Sequence, residues 1–271
     1  MVFGNVFEKA IKKDFKEVIF INLYIRVDIM PSYWKHVNKV LEEADLIIEV
    51  LDARLVEDTR NIEVEDKIKM KKKKILYVVN KCDLVKMLDL KEIKHNLRPS
   101  VFISSKDKLG TTILKKKILE MSKGNKVVVG VLGYPNVGKS SVINALSGRG
   151  AAKTSSESGF TKGLQKVRVD NKIMLIDTPG VFPNKEKDII KHGKTGSIDY
   201  AKIKDPEYVV LNLIENEKKK IKEYYDVDKD DPDEIMEAIA FKLNKLIKKG
   251  LPDLEATARL ILKDWQTGKI R

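Results

Sequence analysis

With 271 residues, 42% of them apolar, the chain is long enough for one large domain or two modest domains with a proper core. It contains no apolar run near the ~20 residues of a membrane-spanning helix, so we expect no stable membrane association. Its single cysteine, Cys82, excludes an internal disulfide bond, so we expect a protein of the reducing cytoplasm. The formal net charge of +13 and the pI of about 9.4 favour a polyanionic partner, nucleic acid before an anionic membrane, although a Lys-rich composition of the thermophile type accounts for part of this charge.

Strand and helix patterns alternate from residue 45 to residue 177. The predicted strands are 45–53, 75–80, 100–104, 126–133 and a hairpin at 166–177 that turns at Asp170–Asn171. The predicted helices are 32–44, 57–74, 88–97, 110–121 and 139–147. This alternation predicts an α/β fold with a mostly parallel sheet, helices on both faces and one antiparallel edge strand.

The strand patterns stop near residue 205, and three helical patterns follow at 206–225, 231–249 and 251–266. They predict a separate all-helical unit that is joined to the rest of the chain by residues 183–204. From Lys242 onwards this unit has 8 basic residues against 3 acidic ones. Its final helices are therefore candidates for contact with RNA.

The segment GYPNVGKS at 133–140 fits the pattern G-x-x-x-x-G-K-[ST] and lies between a predicted strand and a predicted helix. In such a loop the backbone N–H groups and the positive end of the helix converge on phosphate oxygens. Lys139 is expected to reach the β- and γ-phosphates, and the Ser140 hydroxyl to bind Mg²⁺. The predicted nucleotide contacts of this loop are Asn136, Val137, Gly138, Lys139, Ser140 and Ser141.

The segment DTPG, which begins at Asp177, ends the next apolar strand. Asp177 is expected to hold Mg²⁺ through a water molecule, and the Gly180 N–H to sense the γ-phosphate. The preceding loop at 151–163 is small and polar, as a mobile loop should be. Within it Thr161 is the best candidate for a second hydroxyl ligand of Mg²⁺, with Thr154 as a weaker one and a plain flexible loop as the alternative.

The segment NKCD at 80–83 follows an apolar strand and has the composition of a motif that recognises a nucleotide base, which we call the base reader. The Asp83 carboxylate can accept two hydrogen bonds, from N1–H and from the exocyclic amine of guanine, and adenine offers no such pair of donors. Asn80 and Lys81 would brace the base and the loop. This motif therefore predicts selection of GTP over ATP.

A second base-binding segment, SSK, follows the next predicted strand at 104–106. A backbone N–H near Ser105 can meet guanine O6, Lys106 can lie along the ring face, and Ser104 belongs to the same predicted contact. The order is unusual, because the base reader precedes the phosphate loop. After DTPG the chain offers only NKEK at 184 and NKLI at 244, both without the aspartate, so only the earlier pair can complete a guanine site.

The order NKxD, SxK, GxPNVGKS, G-x-T and DTPG resembles the circularly permuted GTPases of the YlqF/YawG group, which act in ribosome assembly. The resemblance covers about residues 30–185. LDAR at 51–54 matches a family signature, and ARLILKDWQTGKI at 258–270 is weakly similar to the end of the family's helical C-terminal domain. The fold that the resemblance implies is a P-loop GTPase domain in circularly permuted order.

The resemblance implies a GTP-binding domain at residues 1–190 and an all-helical, RNA-binding C-terminal domain at residues 205–271. The sequence leaves open the role of an N-terminal extension at residues 1–28. The resemblance also implies GTP or GDP with Mg²⁺ as cofactors, GTP hydrolysis, and ribosomal RNA and a large ribosomal subunit precursor as partners. We expect a monomer.

The position after DTPG carries Val181, where many GTPases have a glutamine that orients the attacking water. Because valine cannot hydrogen-bond to water, we expect slow intrinsic turnover that ribosomes and K⁺ stimulate. Asn136 is a candidate K⁺ ligand, since an asparagine at this place holds K⁺ in related GTPases; its alternative role is a loop-stabilising amide. A histidine that is implicated in catalysis in some family members would fall near Ile29 and is absent. The predicted catalytic set is Lys139, Asn136, Thr161 and Gly180.

The sequence is compatible with three hypotheses about function. The first is a GTPase switch that docks on ribosomal RNA, and the second is an RNA-binding module whose G domain senses nucleotide but hydrolyses it weakly. The third is a GTPase that acts on another RNA such as tRNA. Two further features have a structural alternative: Arg54 of LDAR could simply brace a strand end, and the lysine run at 67–74 could be a solvated helix end rather than an RNA contact.

Overall fold

The computed structural model describes residues 34–148, 164–178 and 188–271, and six strands of this part form one sheet. The strands are β1 (Leu46–Asp52), β2 (Lys74–Asn80), β3 (Ser100–Phe102), β4 (Val127–Gly133), β5 (Gln165–Arg168) and β6 (Ile173–Asp177). Their order across the sheet is β3-β2-β1-β4-β6-β5, and only β5 runs antiparallel to its neighbour. The predicted parallel sheet with an antiparallel edge strand is confirmed.

Ten α-helices lie in the described part of the chain. They are α1 (34–43), α2 (Val56–Thr59), α3 (Ile62–Met70), α4 (Met87–Asn96), α5 (Thr111–Met121), α6 (Lys139–Ser147), α7 (Ile189–Thr195), α8 (Pro206–Tyr225), α9 (Pro232–Lys242) and α10 (Leu254–Gln266). Across these same residues, none of the helices combines the length and the apolar character that a membrane crossing needs.

The sheet has buried side chains on both faces, which explains why its strands read as nearly continuous apolar runs. On one face Ile48 of β1 packs with Leu114 of α5 and Val142 of α6. On the other face Ile47 packs with Val40 of α1 and, in the same cluster, side chains of α3. Each such side chain contributes about 1.5–3 kcal/mol when it is buried, so both helical layers stabilise the sheet.

The predicted helix at 57–74 is wrong as a single element, because the chain breaks it into α2 and α3. Asn61 begins α3 by accepting a hydrogen bond from the Val64 N–H, as an N-cap residue does. The lysine run after it forms the helix end and the turn into β2. Two of its ammonium groups hold backbone carbonyls, Lys73 that of Ala44 at 2.8 Å and Lys74 that of Met121 at 2.6 Å.

The last three helices begin where short polar side chains cap them. Asp205, Asp231 and Asp253 each accept a backbone N–H of the first turn, and the first two are followed by proline, which suits the first helical position. The helices share one core with Leu55 and Ile203. The predicted starts at residues 206 and 231 are confirmed to within one residue, whereas α10 begins at Leu254, three residues after the predicted start, because Asp253 is its cap.

The end of α9 differs from the prediction, which continued this helix to residue 249. The helix stops at Lys242, Asn244 takes a left-handed φ of 52°, and the chain folds back so that the Ile247 N–H donates to the Leu251 carbonyl at 2.8 Å. The helical spacing of the apolar residues continues past Lys242, but these side chains are exposed. Without a surface to pack against, spacing alone does not stabilise further helical turns.

Candidate nucleotide site

The predicted motifs meet at the edge of the sheet where the parallel strands end. Register places Gly133 of β4 beside Val50 of β1, and Asp177 of β6 beside Val131 of β4. Asn80 ends β2 next to β1. Open parallel sheets bind ligands at this carboxyl edge, so the topology gathers the phosphate loop, the base reader and the DTPG aspartate in one place.

The phosphate loop between β4 and α6 depends on three residues with positive φ. Gly133 has a φ of 149°, Asn136 of 60° and Gly138 of 97°. A Cβ atom on Gly138 would lie 2.4 Å from the Asn80 Nδ2 atom. Glycine is therefore required at this position for two reasons, its backbone conformation and the approach of the base-reading loop.

Lys139 begins α6, and its side chain turns back into the phosphate loop. Its Nζ donates to the Gly133 carbonyl at 3.0 Å and to the Tyr134 carbonyl at 2.9 Å. Burial lowers the pKa of Lys139 to about 8, while the nearby Asp177 carboxylate opposes this shift. Bound phosphate oxygens would add negative charge at this ammonium group and stabilise its charged form.

Ser140 and Asp177 form the candidate Mg²⁺ site. The Ser140 Oγ lies 3.4 Å from the Asp177 Oδ2, and the Oδ1 of the same carboxylate is buried without a hydrogen-bond partner among the described residues. Burial raises the pKa of Asp177, and the Lys139 ammonium counteracts it. A hydroxyl beside a buried carboxylate oxygen fits the oxygen ligands that Mg²⁺ prefers. Thr161 and Gly180, also predicted here, lie outside the described residues.

Asn80 connects the base-reading loop with both other loops. Its Nδ2 donates to the Val137 carbonyl at 2.9 Å, and its Oδ1 accepts the Ser105 N–H at 3.1 Å. Lys81, in a left-handed conformation, donates from Nζ to the Asn136 carbonyl at 2.9 Å. Asn80 and Lys81 thus both contact the phosphate loop directly.

The other predicted base contacts differ in their surroundings. Asp83 lies half-buried in a short 3₁₀ helix, Cys82–Leu84, and Lys106 is exposed. Ser104 is buried, and its hydroxyl donates to the Asp107 Oδ2 at 2.9 Å. Ser104 therefore shapes the loop through Asp107, a residue that the pattern analysis did not identify although it directly follows the SSK segment.

Comparisons with known proteins give a family match for part of the chain and identify its fold. Residues 128–245 match the family of 50S ribosome-binding GTPases. The fold is similar to that of GNP-bound YlqF from T. maritima, with a TM-score of 0.61 and 22% identity over 88% of this chain and 94% of that one. Here, as predicted, the base-reading strand β2 precedes the phosphate-loop strand β4. The chain therefore has the fold of the circularly permuted GTPases.

Proteins similar to this chain include some with sequence identity well above that of the structural neighbour. It is 44% identical over 245 residues to the uncharacterized GTP-binding protein MJ1464 of Methanocaldococcus jannaschii, covering 87% of this chain and 65% of that protein. It is 32% identical over 285 residues to the GTPase grn1 of Schizosaccharomyces pombe, covering 88% of this chain and 61% of that protein. The chain thus spans less than two thirds of the length of these relatives.

Two residues at the site were not identified from the sequence, Asp52 and Arg54 of the LDAR segment. The buried Asp52 carboxylate accepts from Lys81 Nζ at 2.7 Å and from Arg54 at 2.8 Å and 3.1 Å. Burial would raise the pKa of Asp52, but the two cations hold it well below its usual range. An acidic residue at the end of a buried strand, two positions before an arginine, was the available signal.

The loop between β4 and α6 also contacts the helical region. The Asn136 side chain donates from Nδ2 to the Gly196 carbonyl just after α7. The ring of Tyr134 lies 6.5 Å from that of His192 in α7, and 5.5 Å from the Lys191 Nζ. The helices after β6 therefore touch the candidate site directly.

Proposed function

We propose that this chain binds GTP and GDP with Mg²⁺, hydrolyses GTP, and acts as a switch in the assembly of the large ribosomal subunit. The observation that carries the proposal is the bridging position of Asn80, which fixes the base-reading loop against the phosphate loop. Asp83 then reads guanine, and Lys139 binds the phosphates. Ser140 and Asp177 hold Mg²⁺, which neutralises charge on the phosphates when bound, and Gly180 senses the γ-phosphate.

We assign the remaining predicted residues of the site to the same nucleotide. Backbone groups of the phosphate loop hold phosphate oxygens, and the SSK loop lies at the base. Residues 1–190 then form the permuted GTP-binding domain, including the extension at 1–28, and residues 205–271 form the helical domain. The assigned backbone and base contacts are Asn136, Val137, Gly138, Ser141, Ser104, Ser105 and Lys106.

The helical domain supplies a candidate RNA contact, the turn at 241–251, which we call the basic turn. It carries four lysines and no acidic residue, and its large apolar side chains are 38–55% exposed. These apolar side chains are Phe241, Leu243, Leu246, Ile247 and Leu251. Lysines that meet phosphates and an aromatic ring on which a base can stack are the usual means of binding unpaired RNA.

Support for a ribosomal partner comes from the family description and from the printed names of relatives. The chain is 32% identical over 255 residues to nucleolar GTP-binding protein 2 of Yarrowia lipolytica, covering 88% of this chain and 49% of that protein. The net charge of +13 fits a ribosomal RNA surface. We place the protein in the cytoplasm as a monomer that binds the subunit precursor.

The hydrolysis step is proposed to be slow in isolation. Val181 offers no hydrogen bond to the attacking water, and Thr161 is the second proposed Mg²⁺ ligand. Asn136 donates from its amide nitrogen to the Gly196 carbonyl, and a K⁺ ion would bind its amide oxygen, because cations bind amides through oxygen. Such a cation would stabilise negative charge that develops between the β- and γ-phosphates.

A matched pair of variants tests the proposal. K245E/K248E reverses two charges in the basic turn, and K91E/K94E reverses two exposed charges on α4. We expect GTP turnover by the unsubstituted protein to rise many-fold with purified large subunits and not with small subunits. We expect K245E/K248E to lose this stimulation and K91E/K94E to keep it, while both bind GTP normally. Absence of GTP binding would refute the proposal.

The alternative is an RNA-binding module that senses nucleotide but hydrolyses it weakly, and Val181 is the feature that favours it. Normal GTP binding without any stimulation by subunits would support this alternative. Crosslinking in cells separates ribosomal RNA from other targets, and recovery of tRNA would favour the reading as a tRNA-directed GTPase.

A further inference from the structure

A chain of buried polar contacts connects the base-reading loop with the end of α10. Its centre is Asp52, whose side chain is 1% exposed, and the Arg54 side chain beside it is 2% exposed. Asp52 accepts from Lys81 on one side and from Arg54 on the other. A single carboxylate therefore orients two cations that belong to different parts of the molecule.

On the nucleotide side, Lys81 is held at two points. Its Nζ lies 2.7 Å from the Asp52 Oδ2 and 2.9 Å from the Asn136 carbonyl of the phosphate loop. Asp83 follows two residues later, at the position that reads guanine. Any adjustment of this loop around a bound base therefore acts on the Asp52 carboxylate through Lys81.

On the helical side, Arg54 holds the last turn of α10. Its Nη1 donates to the Trp265 carbonyl at 2.6 Å, and its guanidinium lies 5.1 Å from the centre of the Trp265 ring. The contact continues beyond the helix, because a Cβ atom on Gly268 would meet the Leu84 side chain of the base-reading turn at 2.7 Å. The end of α10 thus lies directly against the guanine-reading segment.

The fully buried Trp265 ring extends this contact towards the phosphate side. Its Nε1 donates to the Lys194 carbonyl at 2.9 Å, and the neighbouring Gln266 donates to the Gly193 carbonyl at 2.9 Å. Both carbonyls belong to α7, whose end provides the Gly196 carbonyl that Asn136 binds. Base and phosphate loops therefore reach α10 by two separate routes.

We propose that Asp52 and Arg54 are positioning residues that couple binding of a guanine nucleotide to the docking of the α10 C-terminal turn on the base-reading loop. The proposal rests on the nucleotide binding proposed above. Two sites are coupled when they share an element that both bias, and here that element is the Lys81–Asp52–Arg54 cluster. Coupling requires nucleotide to tighten α10 docking, and docked α10 to tighten nucleotide binding by the same factor.

Trp265 gives a direct readout, because the chain has only two tryptophans and W34F leaves Trp265 as the sole emitter. In this background, R54M removes the contact with Trp265 and keeps the Lys81–Asp52 pair, and R54K restores one charge. R259M is the control, since Arg259 also binds backbone carbonyls of the helical region, those of Tyr200 and Ala201, but lies outside the cluster.

We expect GDP to shift Trp265 emission in both the W34F protein and the W34F/R259M protein. Calorimetry should give the same GDP affinity for these two proteins. R54M should abolish the shift and weaken GDP binding about tenfold, the worth of one charged hydrogen bond, and R54K should restore part of both. Unchanged GDP affinity and emission in R54M would overturn the coupling alone. Equal losses of the emission shift and of GDP affinity in R54M and R259M would also overturn the coupling, because they would indicate a general loosening of the helices.

A second measurement needs no variant of the cluster. Hydrogen exchange of the unsubstituted protein should slow at residues 263–268 when GDP is added, and exchange that stays unchanged there would contradict the coupling even if R54M fails to fold. Failure of the unsubstituted protein to bind GDP would overturn the proposed function and this inference together.

Discussion

The Asn80 side chain donates a hydrogen bond to the Val137 carbonyl oxygen at 2.9 Å, although 57 residues of chain separate the two. The same side chain accepts the Ser105 N–H, so one amide spans the three loops that would surround a guanine nucleotide. The base reader and the phosphate loop are therefore held at a fixed distance by a buried polar contact. The two loops are far apart along the chain but adjacent in the fold.

N80A removes both of these bonds and leaves buried backbone groups without partners. We expect it to weaken GDP binding by about tenfold or more and to lower the free energy of unfolding by about 1–3 kcal/mol. Calorimetry and urea denaturation measure the two effects. N96A, which changes an exposed asparagine at the end of α4, is the matched control; similar losses in both variants would contradict the bridging role.

D83N tests the base reader. An amide in place of the carboxylate presents an N–H where guanine also presents N–H donors, so GTP binding should fall about 100-fold, whereas xanthosine triphosphate, which has a carbonyl at that position, should bind better than GTP. Competition with a fluorescent nucleotide measures both affinities. Retention of the preference for GTP would exclude Asp83 as the base reader.

S140A tests the Mg²⁺ site. Loss of the hydroxyl removes one oxygen ligand, so the gain in GTP affinity that Mg²⁺ provides should shrink about tenfold or more, with little change in the affinity measured with EDTA. S147A, at the other end of α6, should behave as the unsubstituted protein does. Equal Mg²⁺ dependence in both variants would remove Ser140 from the site.

The Mg²⁺-dependent part of GTP affinity should change with pH in a defined direction. Burial raises the pKa of Asp177, and Mg²⁺ binds the ionised carboxylate, so the Mg²⁺-dependent part of GTP affinity should fall as pH is lowered towards the raised pKa. D177N should abolish this dependence.

Asn136 gives the prediction for K⁺. Turnover of GTP by the unsubstituted protein should be faster in KCl than in NaCl at equal ionic strength, because K⁺ adds positive charge where an arginine would otherwise act. N136A should show no difference between the two salts. Equal turnover of the unsubstituted protein in both salts would end the K⁺ proposal and would leave Asn136 as a residue that braces the loop against Gly196.

Glu49 predicts how stability depends on pH. Burial raises the pKa of this carboxyl to about 8, although the Asn61 N–H donates to it. The folded state therefore keeps a proton that the unfolded state loses near pH 4.5, so the free energy of unfolding should fall as pH rises from about 4.5 to 8, by a few kcal/mol at most. E49Q should flatten this profile in thermal melts and raise the melting temperature at pH 8–9, whereas E57Q, at an exposed glutamate, should not.

Much of the fold was predictable because local patterns determine it. Buried parallel strands read as apolar runs, and the helix starts after Asp205 and Asp231 are marked by capping chemistry that acts within one turn. The phosphate loop and NKCD were predictable for a similar reason, since each motif has its chemistry within a few consecutive residues. Residue order alone then identified the permutation.

The features that the sequence did not predict depend on contacts between residues that are far apart along the chain. Arg54 meets the Trp265 carbonyl across 211 positions, and no periodicity encodes such a pairing. The early end of α9 has the same cause, because the apolar spacing beyond Lys242 continues while no packing surface accepts it. The three loops of the site come together through Asn80, whose partners are backbone groups that any residue type could provide.

The contact between Arg54 and the end of α10 has a consequence for the order of events on a translating ribosome. The base-reading strands β1 to β3 emerge first, the phosphate loop follows, and the turn of α10 that Arg54 holds emerges after both. Domains tend to fold as they emerge, so we expect the sheet and its nucleotide loops to form before this turn of α10 has been synthesised. On the coupling proposed here, we expect nascent chains halted before Trp265 to bind GDP weakly, and high affinity to appear only once that turn has docked.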